Sequence, residues 1–264
     1  MNEHLKGKKV LITGASSGIG QYLAIHVARN GGHPILVARS GNRLELIAKI
    51  LKEKFDTDCY WYKADLTNGN EWKDVSDIIF YDHDSIDALI NNAGMGIFEN
   101  YCGSKWQDIE RMLQVNVHAP LRITHQVLPH FIAQKSGHII NIASQAGKMA
   151  TPKSAVYSAT KHALLGFSNA LRMEVEGWGI LVTTVNLGPV RTNFFKQADP
   201  TGNYETAVEH LMLDANQVAN RIVKQLFIPK REINLPTWMD AGSKVHQLFP
   251  SVTEKMLRSQ FNKK

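Results

Sequence analysis

The run Lys9-Val-Leu-Ile-Thr13 passes directly into Gly14-Ala-Ser-Ser-Gly18-Ile-Gly20 and then into a helix-like stretch, Gln21 to Asn30. An apolar strand, a glycine-rich turn and a helix in that order leave few architectures open. Glycine lets backbone approach a pyrophosphate, and the helix amino terminus offers free N–H groups and the positive end of its dipole. Gly14, Ser16, Ser17, Gly18, Ile19 and Gly20 are the residues expected to meet a dinucleotide at this corner. The spacing is Gly-x-x-x-Gly-x-Gly, and no Gly-Lys-Ser/Thr follows, which argues against a P-loop. Taken alone, such a turn also fits a tight strand-to-helix connection with no ligand.

Further along, short apolar runs alternate with helical periods. Pro34 to Ala38, Asp58 to Lys63, Ile86 to Ile90, His138 to Ala143, Gly179 to Asn186 and Glu232 to Pro236 read as strands. Between them, Asn42 to Phe55, Glu71 to Tyr81, Lys105 to Gln134, the stretch around Tyr157 to Glu176, and Ala215 to Phe227 read as helices. The alternation predicts a mainly parallel sheet with helices on both faces. A chain of 264 residues with 44% hydrophobic composition fits one such domain.

The polar features gather at the carboxyl ends of these strands, the edge where parallel sheets bind ligands. Arg39 and Ser40 follow the second strand, where an acidic residue would accept from a ribose 2′-hydroxyl and an arginine would suit a 2′-phosphate. No carboxylate stands there, so NADP is preferred and NAD is less expected; Ser16 and Arg43 are assisting candidates, and a surface role for Arg39 stays open. Asp65, next to Leu66, either accepts from the adenine amino group or caps the helix that begins near Asn68. Asn91-Asn92-Ala93-Gly94 closes the fourth strand as a polar turn, and Ser144 ends the fifth. Asn116 is an amide among apolar neighbours, either a backbone clamp in a kinked helix or part of a polar relay. Tyr157 and Lys161 leave one face of a helix a turn apart, which puts a phenol beside an ammonium. A free phenol has a pKa of roughly 10 and a neighbouring cation moves such a group by about 1 to 3 units, so Lys161 is expected to lower it.

The net charge of +6 is scattered without a basic run, which gives nucleic acid little weight as a partner. Cys59 and Cys102 form no metal or disulfide pattern, and no His-Glu-x-x-His occurs, so no metal is expected. No apolar run reaches membrane-spanning length and the amino terminus lacks a signal-like stretch, so a soluble cytoplasmic protein is expected.

Jointly, Thr13-Gly-Ala-Ser-Ser-Gly-Ile-Gly20, Asn91-Asn-Ala-Gly94, Asn116, Ser144 and Tyr157-Ser-Ala-Thr-Lys161 closely resemble the short-chain dehydrogenase/reductase family from Lys6 to about Pro236. The resemblance implies a Rossmann-type, doubly wound, three-layer α/β fold with seven strands, NAD(P)-dependent oxidoreductase activity on a carbonyl or alcohol, and a homodimer or homotetramer. By position, Tyr157 is similar to the family's proton donor, Ser144 to the group orienting the substrate oxygen, and Lys161 to the residue that holds the nicotinamide ribose and lowers the tyrosine pKa. Asn116 is similar to the residue maintaining a water relay behind the lysine. Gly188, Val190 and Thr192 lie in the loop similar to the family's nicotinamide loop, Thr192 matching the carboxamide contact; Leu187 departs from the common proline there. The expected substrate segment is about 188–210, with Asn193 to Tyr204 as a mobile lid, and the carboxyl-terminal extension is about 238–264. Trp238, Met239, Val245, Leu248, Phe249, Met256, Leu257 and Phe261, set among Lys244, Lys255, Arg258, Lys263 and Lys264, would pack on protein, line the substrate entrance or lie on a membrane surface. Packing on protein is preferred. Phe194, Phe195 and the terminal apolar residues either line a pocket for a fairly apolar small-molecule substrate, which is the expectation, or serve packing. The competing functions are an NAD-linked alcohol or hydroxysteroid-type dehydrogenase and a non-catalytic dinucleotide-binding sensor or scaffold.

Overall fold

A computed structural model describes residues 3–199 and 201–261, with the side chains of Glu3 and 257–261 excepted. Pro200, Lys263 and Lys264, and the side chains of Leu257, Arg258 and Phe261, for which the sequence raises expectations, therefore lie outside the described residues. The strands are β1 (Lys9–Thr13), β2 (His33–Ala38), β3 (Tyr60–Lys63), β4 (Ala88–Asn91), β5 (Gly137–Ser144), β6 (Ile180–Leu187), β7 (Val190–Arg191), β8 (Leu213–Asp214) and β9 (Glu232–Leu235). The helices are α1 (Gly18–Arg29), α2 (Gly41–Phe55), α3 (Gly69–Asp82), α4 (Trp106–Leu113), α5 (Ala119–Gln134), α6 (Ala155–Val175), α7 (Phe194–Ala198), α8 (Asn203–Val208), α9 (Ala215–Val223), α10 (Thr237–Leu248) and α11 (Pro250–Phe261).

Seven strands form one parallel sheet in the order β3-β2-β1-β4-β5-β6-β9, the doubly wound Rossmann arrangement. The strands are apolar on both faces because both are covered. Val10, Ile12, Leu36, Ile90, Ile140 and Val185 pack toward α1, α2 and α9, through Leu23, Leu44 and Ile222. Their neighbours Leu11, Ile35, Leu89, Ile139 and Val182 face Trp72, Val127, Phe131 and Leu171 on α3, α5 and α6. Period-two alternation thus divides one sheet between two cores. The pair β7 and β8 is a separate two-stranded ribbon, not foreseen from sequence, beside the end of β6.

The long helical region between Lys105 and Gln134 is interrupted. A π turn, Gln114–His118, separates α4 from α5 and carries Asn116 inward. At the carboxyl end of the chain, α10 and α11 leave Trp238, Val245, Leu248, Phe249, Val252 and Met256 exposed. No helix among the described residues is long and apolar enough to cross a membrane.

Candidate active site

The carboxyl ends of β1, β2, β4, β5 and β6 open on one cleft of about 1210 Å³. At its floor, the turn after β1 and the turn after β4 are clamped together. Thr13 Oγ1 accepts from the N–H groups of Asn92 and Ala93, each at 3.0 Å, and the Asn92 amide donates to the Thr13 carbonyl at 2.9 Å. Gly14 takes φ +65, and a Cβ there would sit 2.8 Å from Ala93 Cα; one on Gly20 would collide with the Gly14 carbonyl oxygen. Backbone therefore lines this corner because side chains do not fit. Ser17 precedes α1 without capping it through its side chain.

Ser16, Ser17, Gly18, Ile19, Arg39, Ser40, Asp65, Leu66, Asn92, Ala93, Gly94, Ser144, Tyr157, Lys161, Gly188, Val190 and Thr192 all line the cleft together with Gly14. Gly20 and Asn116 do not: the first packs beneath the turn and the second is buried behind it. Arg39 is exposed at the end of β2 with Arg43 and Ser16 on the same wall. Asp65 is not the helix cap. Asn68 caps α3, accepting from the N–H groups of Asn70 and Glu71, while Asp65 Oδ1 accepts from the N–H and hydroxyl of Thr67 at 3.0 and 2.9 Å. Burial works against the Asp65 charge, but the Thr67 bonds and the nearby Arg39 and Arg111 hold its carboxyl below the usual carboxylate range.

At the other end, Tyr157 and Lys161 are 9% and 5% exposed. Burial pushes the Tyr157 phenol up to about 12; a hydrogen bond with Ser144 draws it back in part, and Tyr204 adds to the rise. Burial also pushes the Lys161 ammonium down, to about 8. The expected lowering of the phenol by the lysine is therefore overturned in this geometry. Lys161 Nζ donates to the Ile142 carbonyl at 2.9 Å and lies 5.7 Å from the Tyr157 ring centroid, so its charge is directed at β5 and desolvation dominates both groups. Ser144 Oγ donates to the Leu187 carbonyl at 3.3 Å and accepts from the Ala146 N–H at 3.1 Å, which ties the ends of β5 and β6.

Asn116 clamps the backbone of Met95. Its Oδ1 accepts from the Met95 N–H at 2.9 Å and its Nδ2 donates to the Met95 carbonyl at 2.7 Å and to Thr160 Oγ1 at 3.0 Å. A Cβ on Gly94 would stand 3.5 Å from Asn116 Oδ1 and 3.6 Å from Lys161 Nζ, so amide and ammonium converge on one glycine.

Reading by motif misses the aromatic wall. Phe98 meets Tyr157 edge-on at 5.5 Å between centroids and stacks on Tyr204 at 4.4 Å, and Phe194 lies 5.8 Å from Tyr157. Phe194 and Phe195 were visible as an aromatic pair, whereas Phe98 sits in an irregular stretch with no periodicity to mark it. Met239 from α10 also lines the cleft. No group of three or more His, Cys, Asp or Glu suited to a metal ion occurs among the described residues.

Comparison with known proteins decides what this arrangement belongs to. The family model described as short chain dehydrogenase matches residues 8–203. The chain belongs to the short-chain dehydrogenase family. It is 36% identical over 189 residues to an uncharacterised oxidoreductase of Listeria monocytogenes, covering 72% of this chain and 76% of that one. It is 31% identical over 269 residues to 11-beta-hydroxysteroid dehydrogenase 1A of Arabidopsis thaliana, covering 96% and 75%. Among solved structures, a short-chain dehydrogenase from Sphingobium yanoikuyae in complex with NADPH superposes with a TM-score of 0.79 at 28% identity, over 92% of this chain and 96% of that one. As a member of this family the chain is an NAD(P)-dependent oxidoreductase. The glycine-lined corner at the start of α1, where side chains do not fit, suits the dinucleotide such an enzyme needs.

Proposed function

We propose that this protein reduces a fairly apolar carbonyl compound with NADPH, Tyr157 giving the proton. The observation that carries the reading is a single cleft running from Arg39 and Arg43 at one end to Ser144, Tyr157 and Lys161 at the other. When bound, NADPH supplies the hydride, from the nicotinamide C4.

Arg39 meets the 2′-phosphate with Ser16, Ser40 and Arg43 beside it, since a guanidinium matches phosphate in a forked geometry. Asp65 and Leu66 hold the adenine. Gly14, Ser17, Gly18 and Ile19 receive the pyrophosphate at the start of α1, and Gly20 allows that turn to close. Asn92, Ala93 and Gly94 line the middle of the cofactor site. Lys161 and Tyr157 hold the nicotinamide ribose, and Gly188, Val190 and Thr192 hold the carboxamide end. As charge develops on the substrate oxygen, Ser144 and Tyr157 both donate to it. The proton leaving Tyr157 is replaced along the polar path past Lys161 toward Asn116. A phenol that burial keeps protonated is the form that donates, which favours reduction over an NAD-linked oxidation that must first make the phenolate. Phe98, Phe194 and Tyr204 around Tyr157 favour an apolar substrate, and one relative carries a hydroxysteroid in its name.

The same reading takes the chain as one domain, 1–264, with a substrate segment about 188–210, acting in the cytoplasm as a homodimer or homotetramer; family membership is its support. A screen of NADPH consumption against ketones, aldehydes and quinones tests the reaction. For the cofactor, Arg39→Asp should weaken NADPH binding about tenfold to a hundredfold, as expected for loss of a charge-assisted contact, and leave NADH nearly unchanged. Equal losses for both would count against NADPH.

A further inference from the structure

Lys148, outside the catalytic set, is held on every side of its ammonium. It follows the turn Gln145–Gly147 that leaves Ser144, and its side chain is only 9% exposed. Its ammonium donates to Glu232 Oε2 at 2.6 Å, to Asp240 Oδ1 at 2.7 Å and to Asn234 Oδ1 at 3.0 Å. An ammonium has three donors, and all three are used. Two of the acceptors belong to β9 and the third to α10, so one amine joins the loop after Ser144 to both. Asn186 of β6 donates to the same Glu232 and Asn234 oxygens, at 3.0 and 2.8 Å.

Next to Asp240 stands Met239, which lines the cleft. A Cβ on Gly188 would lie 2.8 Å from Met239 Sδ, so this methionine is seated on the Leu187-to-Val190 loop. Helix α10 therefore spans two cleft walls: Met239 rests on the nicotinamide-side loop, and Asp240 is tied to the loop after Ser144. Elsewhere on α10, Trp238, Val245 and Leu248 are exposed, Ser243 is buried, and His246 Nδ1 lies 2.7 Å from Thr253 Oγ1 of α11.

We propose that Lys148 is a positioning residue that fastens α10 across the cleft, so that Met239 forms a fixed wall for the apolar part of the substrate. The inference rests on the carbonyl-reductase reading and adds how large apolar substrates are selected. Without the amine, among the described residues Asp240 keeps only the cation of Lys244 on its own helix, at 2.9 Å, and Glu232 keeps only that of its neighbour Arg231, at 3.7 Å. Neither cation reaches the loop after Ser144, so α10 loses its tie while Ser144, Tyr157 and Lys161 keep their own contacts.

The test is steady-state kinetics of Lys148→Met with a bulky apolar ketone and a small one, together with NADPH affinity. KM for the bulky ketone should rise about tenfold, with KM for the small ketone, kcat and NADPH affinity within about threefold. Met239→Ala should reproduce the rise, and the double variant should add little to either. Unchanged kinetics, or parallel losses of kcat and NADPH affinity, would overturn the inference. If Lys148→Met does not fold, Asp240→Asn, which leaves Glu232 and Asn234 on the amine, should give the same selective rise; a uniform loss would again overturn it. Should wild type reduce no carbonyl, the reaction proposed above falls, and the tie is read from hydrogen exchange across α10. That exchange is faster in either variant if the tie holds the helix and unchanged if it does not.

Discussion

Tyr157 and Lys161 are displaced by the same force in opposite directions, because desolvation disfavours a phenolate and an ammonium alike. The consequence for pH is specific. With Tyr157 raised to about 12, the donor stays protonated across the working range, while Lys161 at about 8 loses its positive charge as pH rises through that value. Reductive kcat/KM should therefore be level below about pH 8 and fall above it, and Lys161→Met should lower the plateau and remove the step. A profile whose step survives in Lys161→Met would assign it to another group. The pairing of the two side chains was legible from a four-residue helical spacing. Their electrostatics were not, because burial and the turn of Nζ toward Ile142 are set by β5, a partner remote in sequence.

Asn116 shows what an element adds. Sequence marks it as an amide needing partners, and the structure supplies Met95 and Thr160 through a π turn that a helical period does not reveal. Asn116→Ala leaves the Met95 N–H and carbonyl unpaired, and it should destabilise the protein by about 2 to 4 kcal/mol in urea unfolding. A loss under about 0.5 kcal/mol would mean the clamp is dispensable. The bounds of the seven strands of the main sheet were readable to within a few residues, since these strands are short runs closed by polar or glycine-bearing turns, whereas α7 and α8 lie in the stretch read as a lid. The ribbon of β7 and β8, two residues each, carries no pattern long enough to read. The Lys148 tie spans 92 residues to Asp240, so neither partner advertises the other in sequence.

Across the whole molecule, sheet order and cleft position follow from alternation and from polar residues at strand ends, whereas the aromatic wall assembles Phe98, Tyr157, Phe194 and Tyr204 from separate segments. The fold also buries a neutral histidine. His138 on β5 accepts the Phe227 N–H at Nδ1, 2.9 Å away, and its Nε2 lies 2.9 Å from Thr183 Oγ1, whose own hydroxyl goes to the Lys230 carbonyl; burial lowers its pKa to about 3. The unfolded chain binds the proton more tightly, near 6.5, so the stability His138 contributes is full above that pH and is lost as pH falls toward 3. Urea titrations from pH 7 to 4 should show this decline, at up to ~1.4 kcal/mol per pH unit from this residue, and His138→Asn should flatten it. An unchanged slope would place the proton uptake elsewhere. The claim that everything else leans on is that one cleft joins a dinucleotide corner to a phenolic proton donor. Single-turnover oxidation of bound NADPH by a reducible ketone in Tyr157→Phe tests it most directly. The account predicts NADPH affinity lower by no more than about tenfold, the loss of one hydrogen bond to the ribose, and a hydride-transfer rate lower by about 10²- to 10⁴-fold; near-normal transfer with NADPH still bound would contradict it.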